Sequence, residues 1–234
     1  MNESSETRAP ITEDQGPQRS RIRGSGAFHF PLSVVALLAV VVGASLTGCL
    51  SFLKPARGTA RHFVLASLPA GPGPVAGGAA PLAVGVGFVK LPAYLFNNSV
   101  AVRVGTNEIN YLESALWAER LDQGFQRVLG ANLSALLPTD QVRLSAWRPQ
   151  DVSVEVYVAV EQFDVATSGR AILVAQWRLL APGGGKLLQA GECRLTRPGP
   201  APEADPAGAV ATLSELVADL SRQLTEAIKR TASH

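Results

Sequence analysis

Val152-Ser153-Val154-Glu155-Val156-Tyr157-Val158-Ala159-Val160 carries a valine at every second position, opposite Ser153, Glu155, Tyr157 and, just past the stretch, Glu161. Strict period-two alternation of a β-branched residue puts one bulky apolar row on one face of a strand. After a turn at Thr167-Ser168-Gly169, the alternation returns in Ala171, Leu173, Ala175, Trp177 and Leu179. Pro182-Gly183-Gly184-Gly185 turns the chain again, and Leu187 to Thr196 completes a set of three. Short turns between alternating runs mean antiparallel pairing.

On either side of this meander the period changes to that of a helix. Leu121, Phe125, Val128, Leu129, Leu133 and Leu136 recur at steps of three and four. Glu119, Arg120, Asp122, Gln123, Gln126 and Arg127 lie between them as a solvated face. Asn110 and Glu113 have capping-box spacing, so Asn107 to Tyr111 is expected to lead into this helix, with Trp117 early in it and Pro138 ending it. A second helix opens at Asp205-Pro206, as N-cap and first-turn proline. Its stripe is Leu213, Leu216, Val217, Leu220, Leu224, Ala227 and Ile228, and Lys229 and Arg230 offset the dipole at its end.

Upstream, Arg61 to Ser67 reads as a first strand, Val84-Gly85-Val86-Gly87-Phe88 as a second and Val100-Ala101-Val102-Arg103-Val104 as a third. The bare glycine side of the second would let another backbone come close. Residues 69–81 are a loop of Gly, Pro and Ala. Together the patterns predict an α+β fold: one domain with a mainly antiparallel sheet of about six strands and two long amphipathic helices on one face.

Residues 1–48 are a different kind of sequence. Arg19, Arg21 and Arg23 precede the apolar run Leu32 to Val42, which ends in Leu46-Thr47-Gly48-Cys49. A basic patch, an apolar core and a small-residue cleavage site make an export signal. The Leu-x-Gly-Cys ending resembles a bacterial lipobox, which implies cleavage between Gly48 and Cys49 and acylation of the Cys49 thiol. An uncleaved membrane helix is the alternative, because Gly26 to Leu53 carries no charge. Gly43, Ala44, Ser45, Thr47 and Gly48 suit a peptidase site better than the middle of an anchor. The expected organisation is a signal peptide with an extended polar tail at 1–48, a tether at 49–60 and a domain at 61–230.

The rest of the inventory argues against catalysis. Of the three histidines, only His62 lies in the body of the chain, and Cys193 is the sole cysteine besides Cys49. A hydrolytic relay would have to use His62 with a Ser or with Cys193, whose place in a strand pattern suits a small buried hydrophobe. No metal-ligand spacing occurs, no phosphate-binding loop is present, and no cofactor is implied. Without residues 1–48 the net charge stays near +2, which does not advertise a nucleic-acid surface.

At this point the chain resembles the PqiC/YmbA-type ABC-type transport auxiliary lipoprotein family. The resemblance rests on the lipobox, on Arg61-His62-Phe63-Val64-Leu65, and on Leu91-Pro92-Ala93-Tyr94-Leu95 leading to Val102-Arg103. It continues through Asn107 to Tyr111, Leu116-Trp117-Ala118-Glu119, Asn132-Leu133, the valine strand ending at Phe163, and Ala175-Gln176-Trp177. It implies a non-catalytic lipoprotein that works with an MCE-domain protein and an ABC transporter or permease in moving lipid between two membranes. It implies a lipid anchor on the periplasmic face of the outer membrane, since neither Leu50 nor Ser51 is the Asp that retains many lipoproteins at the inner one. Tyr94, Leu95, Phe96 and Trp117 are the candidate contacts with a partner or a lipid. The competing expectation is a lipid-binding carrier that holds an acyl chain between sheet and helices.

Overall fold

The computed structural model describes residues 59–70, 82–137, 139 and 141–232. The export signal, Cys49, most of the tether, most of the Gly/Pro/Ala loop and His234 lie outside them.

The strand foreseen from the valines is the spine of the fold. In chain order the strands are β1 (Arg61–Phe63), β2 (Val84–Val86), β3 (Ser99–Arg103), β4 (Ile109–Trp117), β5 (Val142–Leu144), β6 (Val154–Ala166), β7 (Ala171–Leu180) and β8 (Leu187–Arg197). The helices are α1 (Leu121–Leu136) and α2 (Pro206–Ala232). On one edge β6 pairs antiparallel with β7, and β7 with β8, which is the expected meander. On its other edge β6 is long enough to take two partners in turn: β2 along Val154–Val156 and β3 at Val165–Ala166, both parallel. β5 adds parallel to β2, β1 adds parallel to β4, and β3–β4 is an antiparallel hairpin. The sheet is therefore mixed, which corrects the expectation of a mainly antiparallel one. Parallel neighbours need long crossovers, and α1 carries the chain from β4 past β3, β6 and β2 to β5, which lies parallel beside β2.

The capping-box reading at Asn110 fails. Ile109–Trp117 is a strand, and α1 begins at Leu121 with no side-chain cap. Asn110 pairs with Val102, and Trp117 pairs with Phe63 at the end of β4. Two-sided strand pairing outweighed a weak local helix signal. By contrast, the predicted start of α2 holds, with Gly208 N–H donating to Asp205 Oδ1 at 3.0 Å.

Both helices pack on the valine face of the sheet. Val156, Leu173, Leu179, Phe125, Leu129, Leu133, Leu216 and Leu220 are all fully buried there, and Phe125 meets Phe163 edge-on at 5.3 Å. Each such side chain contributes about 1.5–3 kcal/mol of transfer free energy. Buried amides fix the register of the layers. Asn132 Nδ2 donates to Ser221 Oγ of α2 at 3.1 Å, while its Oδ1 accepts from Leu68 N–H at 2.7 Å. Ser214 Oγ accepts from Ala66 N–H at 3.1 Å. These helix side chains take the backbone groups of 66–68, so β1 stops at Phe63 instead of running to Ser67. Gln126, expected on the solvated face of α1, is buried and donates to the Val86 and Gly87 carbonyls at 2.9 Å each.

The other face of the sheet is organised by Glu155, which is 3 % exposed. It accepts from Trp147 Nε1 at 3.0 Å, Tyr157 Oη at 3.1 Å, and the Gly183 and Gly184 amides at 2.8 and 3.1 Å. Burial alone would raise its carboxyl, but these donors, Trp147 first, outweigh it and hold the carboxyl below its ordinary value. Gly85 in β2 and Gly87 just after it admit aromatic rings, not another backbone: a Cβ at Gly85 would strike Trp147, and one at Gly87 would strike Tyr157.

Candidate functional site

The four candidate contact residues converge on one corner of the molecule. A single 3-10 turn, Ala93–Phe96, carries Tyr94, Leu95 and Phe96. Pro92 opens the turn, its carbonyl accepting from Leu95 N–H at 3.0 Å. The chain then enters β3, next to the end of β4, where Trp117 N–H donates to the Asn98 carbonyl at 2.6 Å. Leu95, Phe96, Asn97, Asn98, Trp117, Glu119, Arg120 and Leu121 thereby line a cleft of about 490 Å³.

Each residue has a distinct part. Leu95 is buried at 4 % and anchors the turn in the core. Tyr94 is half-buried, and its hydroxyl donates to Asp164 Oδ2 at 3.0 Å and accepts from Phe163 N–H at 3.1 Å. Burial pushes the Tyr94 phenol up to about 12, so it stays protonated and keeps that donor. Tyr111 clamps the turn from the other side, its hydroxyl donating to the Tyr94 carbonyl at 2.9 Å. Tyr94 is thus a positioning residue. The surface it positions is Phe96, 55 % exposed, with Trp117, 9 % exposed, at the cleft wall.

Asp164 is the hub beneath this corner. Its side chain has no solvent exposure, and it pairs with Arg103, whose Nη2 lies 2.7 Å from Oδ2. It also accepts from Gln162 Nε2 at 3.0 Å. Glu119, at the rim of the cleft, pairs with Arg127. The Arg103–Asp164 pair joins β3 to β6, 61 residues on, so no periodicity announced it.

Arg120 is the residue that sequence reasoning left on a helix face. Because α1 starts one residue later, its guanidinium is free to lie over the Phe96 ring, 5.9 Å from the centroid. Asp122 holds it there through a two-pronged pair, at 3.1 and 2.8 Å. Arg120 in turn holds the Asp122 carboxyl below its ordinary value. An exposed aromatic capped by a fixed arginine, beside a mostly buried tryptophan, has the composition of a binding hot spot. A cleft of about 490 Å³ has room for a side chain or two, far less than a standard interface.

The arrangement offers recognition chemistry. His62 is exposed on β1 and Cys193 is buried on β8, at opposite ends of the strand order β1-β4-β3-β6-β7-β8. Burial raises the Cys193 thiol, which works against the reactive thiolate. Among the described residues no group of three or more His, Cys, Asp or Glu could hold a metal ion. No helix among them is long and apolar enough to cross a membrane. The space between sheet and helices, where a carrier would hold its acyl chain, is occupied at its centre by Phe125, Leu129, Leu173 and Leu216, all fully buried.

No curated protein matches the chain. Protein XCC0632 from Xanthomonas campestris, of the DUF330 family, superposes with a TM-score of 0.61 at 13 % identity, covering 74 % of this chain and 97 % of that one. A crystal structure of an uncharacterized protein gives a TM-score of 0.58 at 23 % identity, covering 73 % of this chain and 99 % of that one. At such identities the likeness is one of fold. The model of the ABC-type transport auxiliary lipoprotein component family matches residues 63–225, which takes in α1, most of α2 and nearly the whole sheet. The chain belongs to the family of ABC-type transport auxiliary lipoprotein components.

Proposed function

We propose that this protein is the non-catalytic docking subunit of an MCE/ABC-type intermembrane lipid transport system. It is tied by an acylated Cys49, after cleavage at Gly48, to the periplasmic face of the outer membrane. There it meets the MCE-domain protein, and through it the permease, with the Phe96–Trp117–Arg120 cleft. The observation that carries the docking role is the cleft itself: Tyr94, Tyr111 and Asp164 hold the turn from behind so that Phe96 stands exposed under Arg120. Anchoring by lipid suits such a role. One acyl chain binds a bilayer only marginally, whereas two or three, at about 0.8 kcal/mol per buried methylene, hold a protein there stably.

The test is co-purification of the full-length lipoprotein from its native envelope. Wild type should bring down the MCE protein, and Phe96→Asp should lose it while remaining folded and membrane-bound. Equal recovery with Phe96→Asp removes the cleft from the interface. Failure of wild type to retain any MCE or permease component removes the docking role.

A further inference from the structure

A second cleft, of about 620 Å³, opens on the face of the sheet away from the helices. Tyr157 and Ala159 of β6, Gln176 and Arg178 of β7, and Ala190 and Glu192 of β8 form its floor, in register across three strands. Phe88 and Lys90, which follow β2, close one side, with Lys90 bridged to Ala159.

Three features of this cleft call for a ligand. Phe88 is 75 % exposed, the most exposed large apolar side chain among the described residues. Its ring, the Tyr157 ring and the two alanines make an apolar trough, and 620 Å³ is within the range of small-molecule sites. Lys90 and Arg178 both line it, and neither side chain makes a hydrogen bond or ion pair among the described residues. Glu192 is the single acid in the lining, so the cations outnumber it. Gln176 is turned aside by its bond to Glu161 at 2.7 Å. The floor is rigid, because the Tyr157 hydroxyl is tied to Glu155 and the Tyr157 ring rests on Gly87.

We propose that this cleft binds an anionic phospholipid, its phosphate between Lys90 and Arg178 and an acyl chain along Phe88, Tyr157, Ala159 and Ala190. Charge and shape both enter the argument. A bare anion would leave the exposed Phe88 trough unfilled, and a neutral lipid would leave the excess positive charge of Lys90 and Arg178 over Glu192 unmatched. The site is separate from the Phe96 cleft and does not depend on the docking role.

The experiment uses the purified full-length lipoprotein in a non-ionic maltoside detergent with a photoreactive phosphatidylglycerol. Cross-links should map to residues 88–90, 157–159, 176–178 and 190–192. Unlabelled phosphatidylglycerol should compete, whereas phosphatidylcholine, inorganic phosphate and a poly-glutamate peptide should compete at least tenfold less well. The double variant Lys90→Gln/Arg178→Gln alters only surface charges and should cut labelling at least tenfold. Phe88→Ser should also weaken it, and Phe96→Asp should leave it unchanged. Unchanged labelling in the double variant, cross-links mapping elsewhere, or equal displacement by phosphate or by the peptide would each overturn the proposal.

Discussion

Asp164→Ala is the substitution that tests the architecture of the Phe96 corner most severely. The Asp164 side chain has no exposure, and it binds the Arg103 guanidinium, the Tyr94 hydroxyl and the Gln162 amide at once. Removing one partner of a buried ion pair costs about 3–5 kcal/mol, because the other charge is left uncompensated. The Arg103 side chain retains 26 % exposure, so the stranded guanidinium can rehydrate in part. That puts the expected loss at the low end, about 3 kcal/mol. For a chain of this size, each kcal/mol corresponds to about 2–4 °C, so Tm should fall by roughly 6–12 °C. Urea unfolding of the full-length protein, followed by tryptophan fluorescence, should show the loss as a shifted midpoint at constant slope. Arg103→Met/Asp164→Leu removes both charges and should recover most of the stability. Asp164→Ala also frees the Tyr94 hydroxyl, so partner recovery should fall although position 164 is buried. A loss below about 1 kcal/mol, typical of an exposed pair, or a double variant no better than the single one, would refute the reasoning.

Four other outcomes are expected. The Glu155 carboxyl is held below its ordinary value in the folded state, so its stabilisation is complete above the unfolded value of about 4.3 and fades as pH falls through the folded one. Stability of the wild type should therefore drop more steeply between about pH 5 and 3 than that of Glu155→Gln, as read by urea midpoints across that range. Gly191→Ala would drive a Cβ into the Trp177 indole; overpacking of this kind costs about 1–3 kcal/mol, visible as a lowered Tm. Phe125→Ala empties a fully buried site against Phe163 and should cost about 3–5 kcal/mol by the same unfolding assay. Cys49→Ala should abolish labelled-palmitate incorporation and shift the protein out of the membrane fraction.

What could be seen in the residues was whatever repeats at short range. The valines of β6, the alternation of β7 and the leucine stripe of α2 each carry their period over a long run, and each element formed where the period put it. β1, β2 and β5 are three-residue strands. A run that short has no period to read, and β5 was missed. Parallel pairing was also invisible, because β6 takes β2 and β3 on one edge only through crossovers that no local pattern encodes. At Asn110 a local capping signal pointed to a helix, and pairing with β3 and β1 overrode it. The Phe96 corner was half visible: the aromatic residues after Pro92 stood out as apolar residues in a loop. Arg120 over Phe96 and Asp164 behind Tyr94 depend on side chains brought together from distant parts of the chain.

The central claim is that the Phe96 corner meets a component of a lipid transport complex, and a photocrosslinker can ask this in place. Benzoylphenylalanine at position 96 of the full-length lipoprotein, activated in intact cells, should yield one adduct whose partner is identified by mass spectrometry as the MCE protein. The same group at the exposed position Leu187, at the start of β8, should not yield that adduct. An adduct at position 187 but none at 96, or a position-96 adduct with a protein outside the transport complex, would contradict the account.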